Sequence, residues 1–414
     1  MPMSLHYNGQ AMEERSHIYL GWLSLTNFRN FIKLELALPP GLVLLVGDNA
    51  QGKTNLLEAI YYLATTRSPQ AGSEGELINW GVQRSELPFA RLEGEIQRGR
   101  QAHRVEITIA PVGREEGERY RKRIRLDGRA VRALDFLGLF NVVLFLPEDL
   151  ALVGGPPGLR RRYLDATICQ LDTGYLRALQ HYNRVLAHRN RLLRRLRERQ
   201  DDPAQLEFWD QKLSQEGTKV AIGRDRAIRD LNEFLAAIHP QLAGPGMELR
   251  LTYECNVVVG RKQGRQMTLA GAEEWGAEEL AELYWKRLGE ERPRELELGA
   301  TVVGPHRDDF HFLEDRIDLR TYGSRAQQRR AVVSLKLAEV ELVRRRAGYE
   351  PILLLDDVMS ELDPRHKLLL AAALKAPGQA IVTTTDLGIF PPALLEQGAL
   401  LRVENGQIQP FQLS

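Results

Sequence analysis

The sequence predicts an α/β protein in which a mixed sheet with an antiparallel subdomain is interrupted by a mostly helical insertion. Three observations predict it. Strand-like segments fill the chain up to about residue 150 and return after about residue 301, whereas the pattern between them is helical. The run 41–47 is continuously apolar, as in a strand buried on both faces, and a glycine-bearing loop and a helical stretch follow it. Pro147, Gly154, Gly155, Pro156, Pro157 and Gly158 cluster where one pattern gives way to the other, which reads as a hinge or domain boundary.

Each element has its own justification. Order is expected to begin near Ile18, after a polar extension (1–17) with no apolar h-region and hence none of the marks of a signal peptide. Residues 18–28 are strand-like, and 32–38 alternate as a half-buried strand does. A helix is expected from Lys53 to about Leu63. The segments FARLEGEIQ, HRVEITIA and YRKRIRLDGRAV alternate again, with Asp127-Gly128 as a turn, and read as an antiparallel sheet. Helices are expected over 172–199, about 205–238 and about 277–290, with a polar stretch at 241–275. TVVGP, DFHFL, ILLLDD and AIVTTT read as returning strands. The expected domains are 18–150, 151–300 as the helical insertion, and 301–414.

Composition excludes several classes. Of the 414 residues 43% are hydrophobic and 27% charged, which allows a large core and excludes wholesale disorder. Lys and Arg total 56 against 55 for Asp and Glu, so only a local patch could favour nucleic acid. Cys169 and Cys255 have no metal-type spacing and form no disulfide framework, which fits a reducing cytosol. No apolar run approaches the roughly 20 residues a membrane span needs.

The sharpest motif is G-D-N-A-Q-G-K-T, comprising Gly47, Asp48, Asn49, Ala50, Gln51, Gly52, Lys53 and Thr54. It fits the phosphate-binding pattern G-x-x-x-x-G-K-[ST] between a buried strand and a helix. Glycines let the backbone curl so that its N–H groups face phosphate oxygens, and the helix start adds its positive end. Lys53 would reach the β- and γ-phosphates, and the Thr54 hydroxyl would ligate Mg²⁺. In P-I-L-L-L-D-D (351–357), Asp356 ends a buried strand and would hold Mg²⁺ through water, while Asp357 could orient or deprotonate an attacking water. Many P-loop enzymes have Glu at that second position; the shorter Asp predicts slow turnover.

About 300 residues separate Lys53 from Asp356, too far for a Ras-like GTPase, and no N-K-x-D motif stands out. An ABC-type ATPase head split by a helical insertion fits better. Such a head needs a serine-led signature before the metal-binding strand, and residues 321–339 supply one, with Ser324 placed to cap the following helix.

These motifs, with T-N-F-R-N-F (26–31), P-E-D-L (147–150), R-R-Y-L-D (161–165), G-P-H-R-D-D (304–309) and L-L-L-D-D-V-x-S-E-L-D (353–363), resemble in residues and order the RecF DNA replication and repair family. The resemblance spans about residues 18–410. It implies an ABC-type head with a short helical arm, related to SMC proteins. It implies a cytoplasmic protein of the SOS response that binds ATP and Mg²⁺, dimerises around ATP and hydrolyses it weakly with DNA stimulation. It also implies DNA binding and help in loading recombinase at gaps with RecO and RecR. Carried over by motif, Arg29 and Asn30 would join the ATP site. Ser324 and Gln327 would serve the partner's γ-phosphate, and Ser360, Glu361, Leu362 and Asp363 would form the D-loop.

The chain departs from the family pattern at several places. Ala326 stands where S-x-G-Q places glycine, adding a methyl where close approach is expected. T-T-R-S-P-Q (65–70) keeps only Arg67 of a basic run, and Thr384 or Thr385 stands where many ABC proteins place His. Glu148 is the candidate at the position usually held by a Q-loop glutamine. His306 and Arg307 fit either a place near the ATP interface or a turn whose polar groups hold two segments together.

In the expected helix 172–199, Leu179, Tyr182, Leu186 and Leu193 share one face. Arg177, Arg184, Arg191 and Arg195 fall within a stripe of roughly 40° on the other. The apolar face is expected to pack on Leu206, Trp209, Leu213, Val220 and Leu231 of a second helix as a short antiparallel hairpin. The arginine stripe is either a solvated face or a DNA-phosphate surface of little sequence specificity. Two other classes compete: a P-loop nucleotide kinase with a helical lid, and an ABC transporter subunit.

Overall fold

The computed structural model describes residues 18–82, 88–112, 119–198, 202–258, 276–361, 367, 370 and 378–411. The chain runs through β1 (Ile18–Phe28), β2 (Phe31–Ala37), β3 (Gly41–Val46) and α1 (Lys53–Thr65), then β4 (Ala90–Arg98), β5 (Gln101–Val112), β6 (Arg119–Leu126) and β7 (Arg129–Val131). The short α2 (Ala133–Phe136) leads to β8 (Val142–Phe145). Helices α3 (Ala151–Gly154), α4 (Pro157–Leu171), α5 (Thr173–Arg197) and α6 (Gln205–Ala243) follow, then β9 (Leu249–Glu254) and α7 (Ala277–Leu298). Next come β10 (Asp309–Glu314), β11 (Ile317–Asp318), α8 (Leu319–Tyr322) and α9 (Arg325–Ala347). The chain closes with β12 (Ile352–Asp356), β13 (Gln379–Thr384), β14 (Ala399–Glu404) and β15 (Gln407–Pro410).

Two compact units result: Met1–Pro147 with Val343–Ser414, and Glu148–Leu342. The second unit therefore extends past the expected boundary at residue 300. The reason is pairing: β10 joins β9 over Asp309–Glu314, tying the G-P-H-R-D-D segment to the insertion.

The first unit holds two six-stranded sheets. One is antiparallel, in the order β2-β1-β4-β5-β6-β7. The other runs β15-β14-β3-β13-β12-β8, parallel except for β15. Helix α1 packs on strands of both, so Leu56, Ile60 and Leu63 enter one core with Leu25 and Leu92 from one sheet and Val43 and Leu354 from the other. Burial on both faces explains why β3 and β12 read as unbroken apolar runs.

In the second unit α5 and α6 run antiparallel: His188 stacks on Trp209, Arg189 bonds Asp210, and further along Tyr182 lies beside Gly217. The apolar stripes are buried as expected, apart from half-buried Leu186 and Trp209. Strand β9 lies within the stretch 241–275, read from the sequence as polar and Gly-containing. Conversely, TVVGP forms no strand. Its backbone N–H groups go to side chains instead: Thr301 to Asn190 Oδ1 (2.8 Å), Val302 to Glu295 Oε1 (2.8 Å) and Gly304 to Asn256 Oδ1 (2.9 Å).

Buried charges hold this unit together. Arg189 is fully buried and reaches Asp210, Glu295 and Thr301 at 2.6, 2.6 and 2.8 Å. Arg160 forks onto Asp309 (2.6 and 2.8 Å), and Arg224 onto Asp165 (2.9 and 3.0 Å). Gly304 adopts φ 127°, and a Cβ there would strike the Tyr284 hydroxyl. His306 serves the turn: Nδ1 meets the Tyr182 hydroxyl at 2.7 Å and Nε2 the Thr301 carbonyl at 3.0 Å. Nε2 must then carry the proton and Nδ1 accept. Of its two sequence readings, this is the one in which polar groups hold segments together. Arg307 is exposed and reaches the same carbonyl at 3.3 Å.

Burial pulls the His306 imidazole down to about 4, with the Thr301 hydrogen bond opposing and Arg307 assisting. The unfolded chain, titrating near 6.5, binds more protons than the folded one between these values. Stability contributed by neutral His306 is therefore complete above about pH 6.5 and lost as pH falls toward 4, by about 3 kcal/mol at most. Thermal melts across this range should slope less steeply for His306→Gln than for the parent; equal slopes would remove His306 from the acid response.

Candidate nucleotide site

The site grows from strand ends. In the parallel sheet Asp356 of β12 pairs with Thr383 of β13, and Thr384 pairs with Val46 of β3, so three C-terminal ends lie side by side. Such an edge is where α/β sheets bind ligands. The 47–54 loop leaves β3 there, and α1 starts at Lys53.

Two turns brace the loop. Asn30, in the β1–β2 turn, donates to the Gln51 carbonyl at 3.3 Å and accepts from Asn55 Nδ2 at 2.8 Å. Gln51 Oε1 accepts from the Asn405 backbone N–H at 2.6 Å. Gly52 sits at φ 107°, in the left-handed region, and a Cβ would strike the Asn30 amide. Asp48, Asn49 and Ala50 are exposed at the tip, and a cleft of about 420 Å³ beside them is lined by Gly47, Asp48, Gln51, Thr385, Arg402 and Glu404.

Lys53 is buried and donates to the carbonyls of Gly47 and Asp48, the latter at 2.9 Å. Burial lowers its pKa, while Asp357, Asp356 and Asp48 push it back up. Thr54 Oγ1 donates to Asp356 Oδ2 at 2.6 Å. The other oxygen, Asp356 Oδ1, accepts from Thr383 Oγ1 at 2.7 Å. Asp357 has φ 48° and a buried Oδ1 with no hydrogen-bond partner among the described residues. Burial raises its pKa, against the pull of Ser360 and Lys53. Such a carboxyl is suited to accept a proton.

A hydroxyl beside a carboxylate, with only oxygens on offer, suits Mg²⁺ better than a softer metal. Among the described residues no group of three or more His, Cys, Asp and Glu could cage a metal. A cation here would thus share its coordination with water and phosphate, as Mg²⁺ does.

Other expected site residues fall as follows. Arg29 is engaged by Glu58 (2.7 Å to each oxygen) and the Glu76 carbonyl (3.0 Å), so it anchors the β1–β2 turn to α1. Ser360 Oγ donates to the Asp357 carbonyl at 2.6 Å, closing the turn after β12. Glu361 ends that turn; Leu362 and Asp363 lie outside the described residues. Thr384 is fully buried and its hydroxyl bonds Asp386 (2.8 Å to O, 3.1 Å from N), a structural role; Thr385 lines the cleft. Glu148 is exposed, as is Arg67. Ser324 and Gln327 belong to the second unit and form a reciprocal cap on α9: Gln327 N–H to Ser324 Oγ at 3.3 Å and Ser324 N–H to Gln327 Oε1 at 3.0 Å. Arg177, Arg184, Arg191 and Arg195 are all exposed on α5. Sequence reasoning missed Thr383, hidden in a run of three threonines of which only the strand register brings one beside Asp356.

A strand–phosphate loop–helix unit, an Asp-Asp pair on a parallel strand one removed in the same sheet, an adjoining antiparallel sheet and a helical insertion ending in a serine-capped helix define an ABC-type ATPase head. Residues 19–407 match the family described as RecF/RecN/SMC N terminal domain. The chain is 41% identical over 401 residues to the DNA replication and repair protein RecF of Chloroflexus aurantiacus, covering 94% of this chain and 99% of that protein. It is 35% identical over 388 residues to RecF of Halalkalibacterium halodurans, covering 94% and 98%. A solved structure of the recombination mediator protein RecF-ATPrS in the RecFOR pathway superposes with a TM-score of 0.82 at 29% identity, covering 96% of this chain and 100% of that one. The Smc head of Pyrococcus yayanosii shares the fold, with a TM-score of 0.52 at 13% identity, covering 96% and 97%. The chain belongs to the RecF family.

Gly52→Ala should expose the constraint on the loop. The strained φ and the blocked Asn30 amide should cost about 1–3 kcal/mol in denaturant unfolding. A cost under about 0.5 kcal/mol, within the range of ordinary surface changes, would contradict it.

Proposed function

We propose that this chain is an ATP- and Mg²⁺-dependent, DNA-binding ATPase of recombinational repair, whose ATP-bound form is a homodimer clamp and whose hydrolysis releases it. It would act in the cytoplasm, aiding recombinase loading at gaps with RecO and RecR. The observation that carries this reading is the hydrogen bond from Thr54 to Asp356, which joins the phosphate loop to the acidic strand. The capped, exposed α9 N-terminus adds support, and the relatives are repair proteins, one solved with an ATP analogue.

Lys53 would exchange its loop carbonyls for the β- and γ-phosphate oxygens. Thr54 and Asp356 would hold Mg²⁺ directly and through water, and the ion would neutralise phosphate charge. Asp357 would take the proton from the attacking water. Being a methylene shorter than Glu, it favours slow turnover, so that ATP acts as a switch; the stimulation of hydrolysis by DNA is proposed from the family resemblance. Ser324 and the α9 N-terminus would meet the partner's γ-phosphate. The γ-phosphate is then the bridge, and ADP bridges poorly.

Ser324→Arg should therefore bind ATP nearly normally but lose ATP-induced dimerisation and hydrolysis. Sedimentation with ATP, ADP or neither checks this, and dimerisation equal to the parent's would refute the trans contact.

The exposed arginines of α5 would contact DNA phosphates. Arg184→Glu with Arg191→Glu should weaken binding to gapped, single-stranded and duplex DNA and flatten its salt dependence, since fewer counterions are released. ATP affinity should hold. Unchanged DNA affinity at two salt concentrations would end the arm hypothesis and leave a solvated helix face.

A further inference from the structure

Thr383 is buried in β13, at the end nearest the acidic pair. Its hydroxyl does two things at once. It donates to Asp356 Oδ1 at 2.7 Å and accepts the Asp357 backbone N–H at 2.9 Å. The same Asp356 carboxylate takes Thr54 Oγ1 on its other oxygen at 2.6 Å. Both carboxylate oxygens are thus engaged by hydroxyls from the two neighbouring segments. A hydroxyl has one proton, so donating to Asp356 leaves its lone pairs for the Asp357 N–H. The direction of both bonds is fixed.

The Asp357 backbone is held from both sides. Its N–H is fixed by Thr383 and its carbonyl by the Ser360 hydroxyl at 2.6 Å. The residue adopts φ 48°, a conformation that a non-glycine residue holds only when surrounding contacts over-determine it. Without the Thr383 bond, the Asp357 N–H at the strand end would lose its partner, and the Asp356 carboxylate could rotate about its terminal torsion, which is soft.

We propose that Thr383 is a positioning residue for ATP hydrolysis, orienting the Asp356 carboxylate for Mg²⁺ and fixing Asp357 where it can face the attacking water. The proposal rests on the nucleotide-site reading above. It assigns to the β13 threonine the orienting work that outer-shell hydrogen bonds do at metal sites.

The test compares Thr383→Val, equal in shape but without the hydroxyl, with Thr383→Ser, which keeps it. In full-length protein, ATP binding in EDTA should match the parent for both. For Thr383→Val the Mg²⁺ concentration giving half-maximal nucleotide-induced thermal stabilisation should rise roughly tenfold, and kcat should fall roughly 10- to 100-fold with KM for ATP little changed. Thr383→Ser should stay within about threefold of the parent on each measure. Should Thr383→Val fail to give a native near-ultraviolet spectrum, Thr383→Cys, a weak hydrogen-bonding group of similar size, carries the same expectations. An unchanged Mg²⁺ requirement overturns the proposal. So does a loss that Thr383→Ser shares, which would mean packing alone. A parent that shows no Mg²⁺-dependent ATP binding would instead overturn the nucleotide-site reading itself.

Discussion

One hydrogen bond, from Thr54 to Asp356, joins residues 302 positions apart, and the arrangement of the first unit follows from making it possible. Parallel strands cannot be joined by tight turns, so β3, β8, β12 and β13 need crossovers, and the chain uses the one from β8 to β12 to carry a whole second unit. The three strand ends must also finish at matching heights. Register does this: Asp356 faces Thr383, and Thr384 faces Val46, the last residue before the phosphate loop. Because strand side chains alternate, a slip of one residue would turn Thr383 away from the acidic strand. The apolar content of β3, β12 and β13 is thus the means by which distant polar groups are brought within 3 Å of each other.

The parts legible in the sequence were those whose signal is local. The phosphate loop announces itself through spacing, β3 and β12 through unbroken apolar runs, and the α5 stripes through helical periodicity. What failed depended on partners far along the chain. Strand β9 pairs with β10 more than fifty residues later; its own residues, LRLTYE, alternate as a half-buried strand does, but the polar, Gly-containing stretch around them hid that signal. TVVGP has β-branched residues and reads as a strand, yet Asn190, Glu295 and Asn256 take its N–H groups. Arg189 was indistinguishable from the exposed arginines around it; only α6 and α7, which bring Asp210 and Glu295, make it a buried centre. Which of the threonines at 383–385 serves the acidic pair was likewise a question of register.

The G-P-H-R-D-D segment shows how composition alone misleads. A histidine, an arginine and two aspartates together look chemical. In the fold, Asp309 holds Arg160, while Asp308 accepts from the Asn256 N–H at 2.8 Å and from the Tyr253 hydroxyl. Both His306 nitrogens are occupied, Nδ1 by the Tyr182 hydroxyl of α5 and Nε2 by the Thr301 carbonyl. Buried ion pairs of this kind add little net stability over apolar packing, because desolvation offsets the attraction, but breaking one leaves a costly lone charge. Their use here is geometric: each fork fixes the orientation as well as the position of its partner. Among the described residues the second unit has a sheet of only three strands, and these forks supply the directionality that a ladder of strand hydrogen bonds gives the first.

The same logic bears on the serine that begins α9. A cap in which Ser324 accepts at 3.3 Å is a long bond, and its hydroxyl is exposed. Gln327 is held more firmly, donating to Glu314 at 2.6 Å while accepting from the Ser324 N–H at 3.0 Å. The cap is therefore asymmetric: the glutamine fixes the backbone start of the helix, and the serine hydroxyl is the weakly committed member. A group that must turn to an incoming phosphate oxygen is best held in this way, because it gives up little when it leaves. Ala326, one residue before Gln327, keeps its backbone N–H at the helix start. In the proposed dimer its methyl group would bear on how closely a partner's phosphate approaches, so the departure from glycine would affect the distance of that contact and leave the Ser324–Gln327 cap in place.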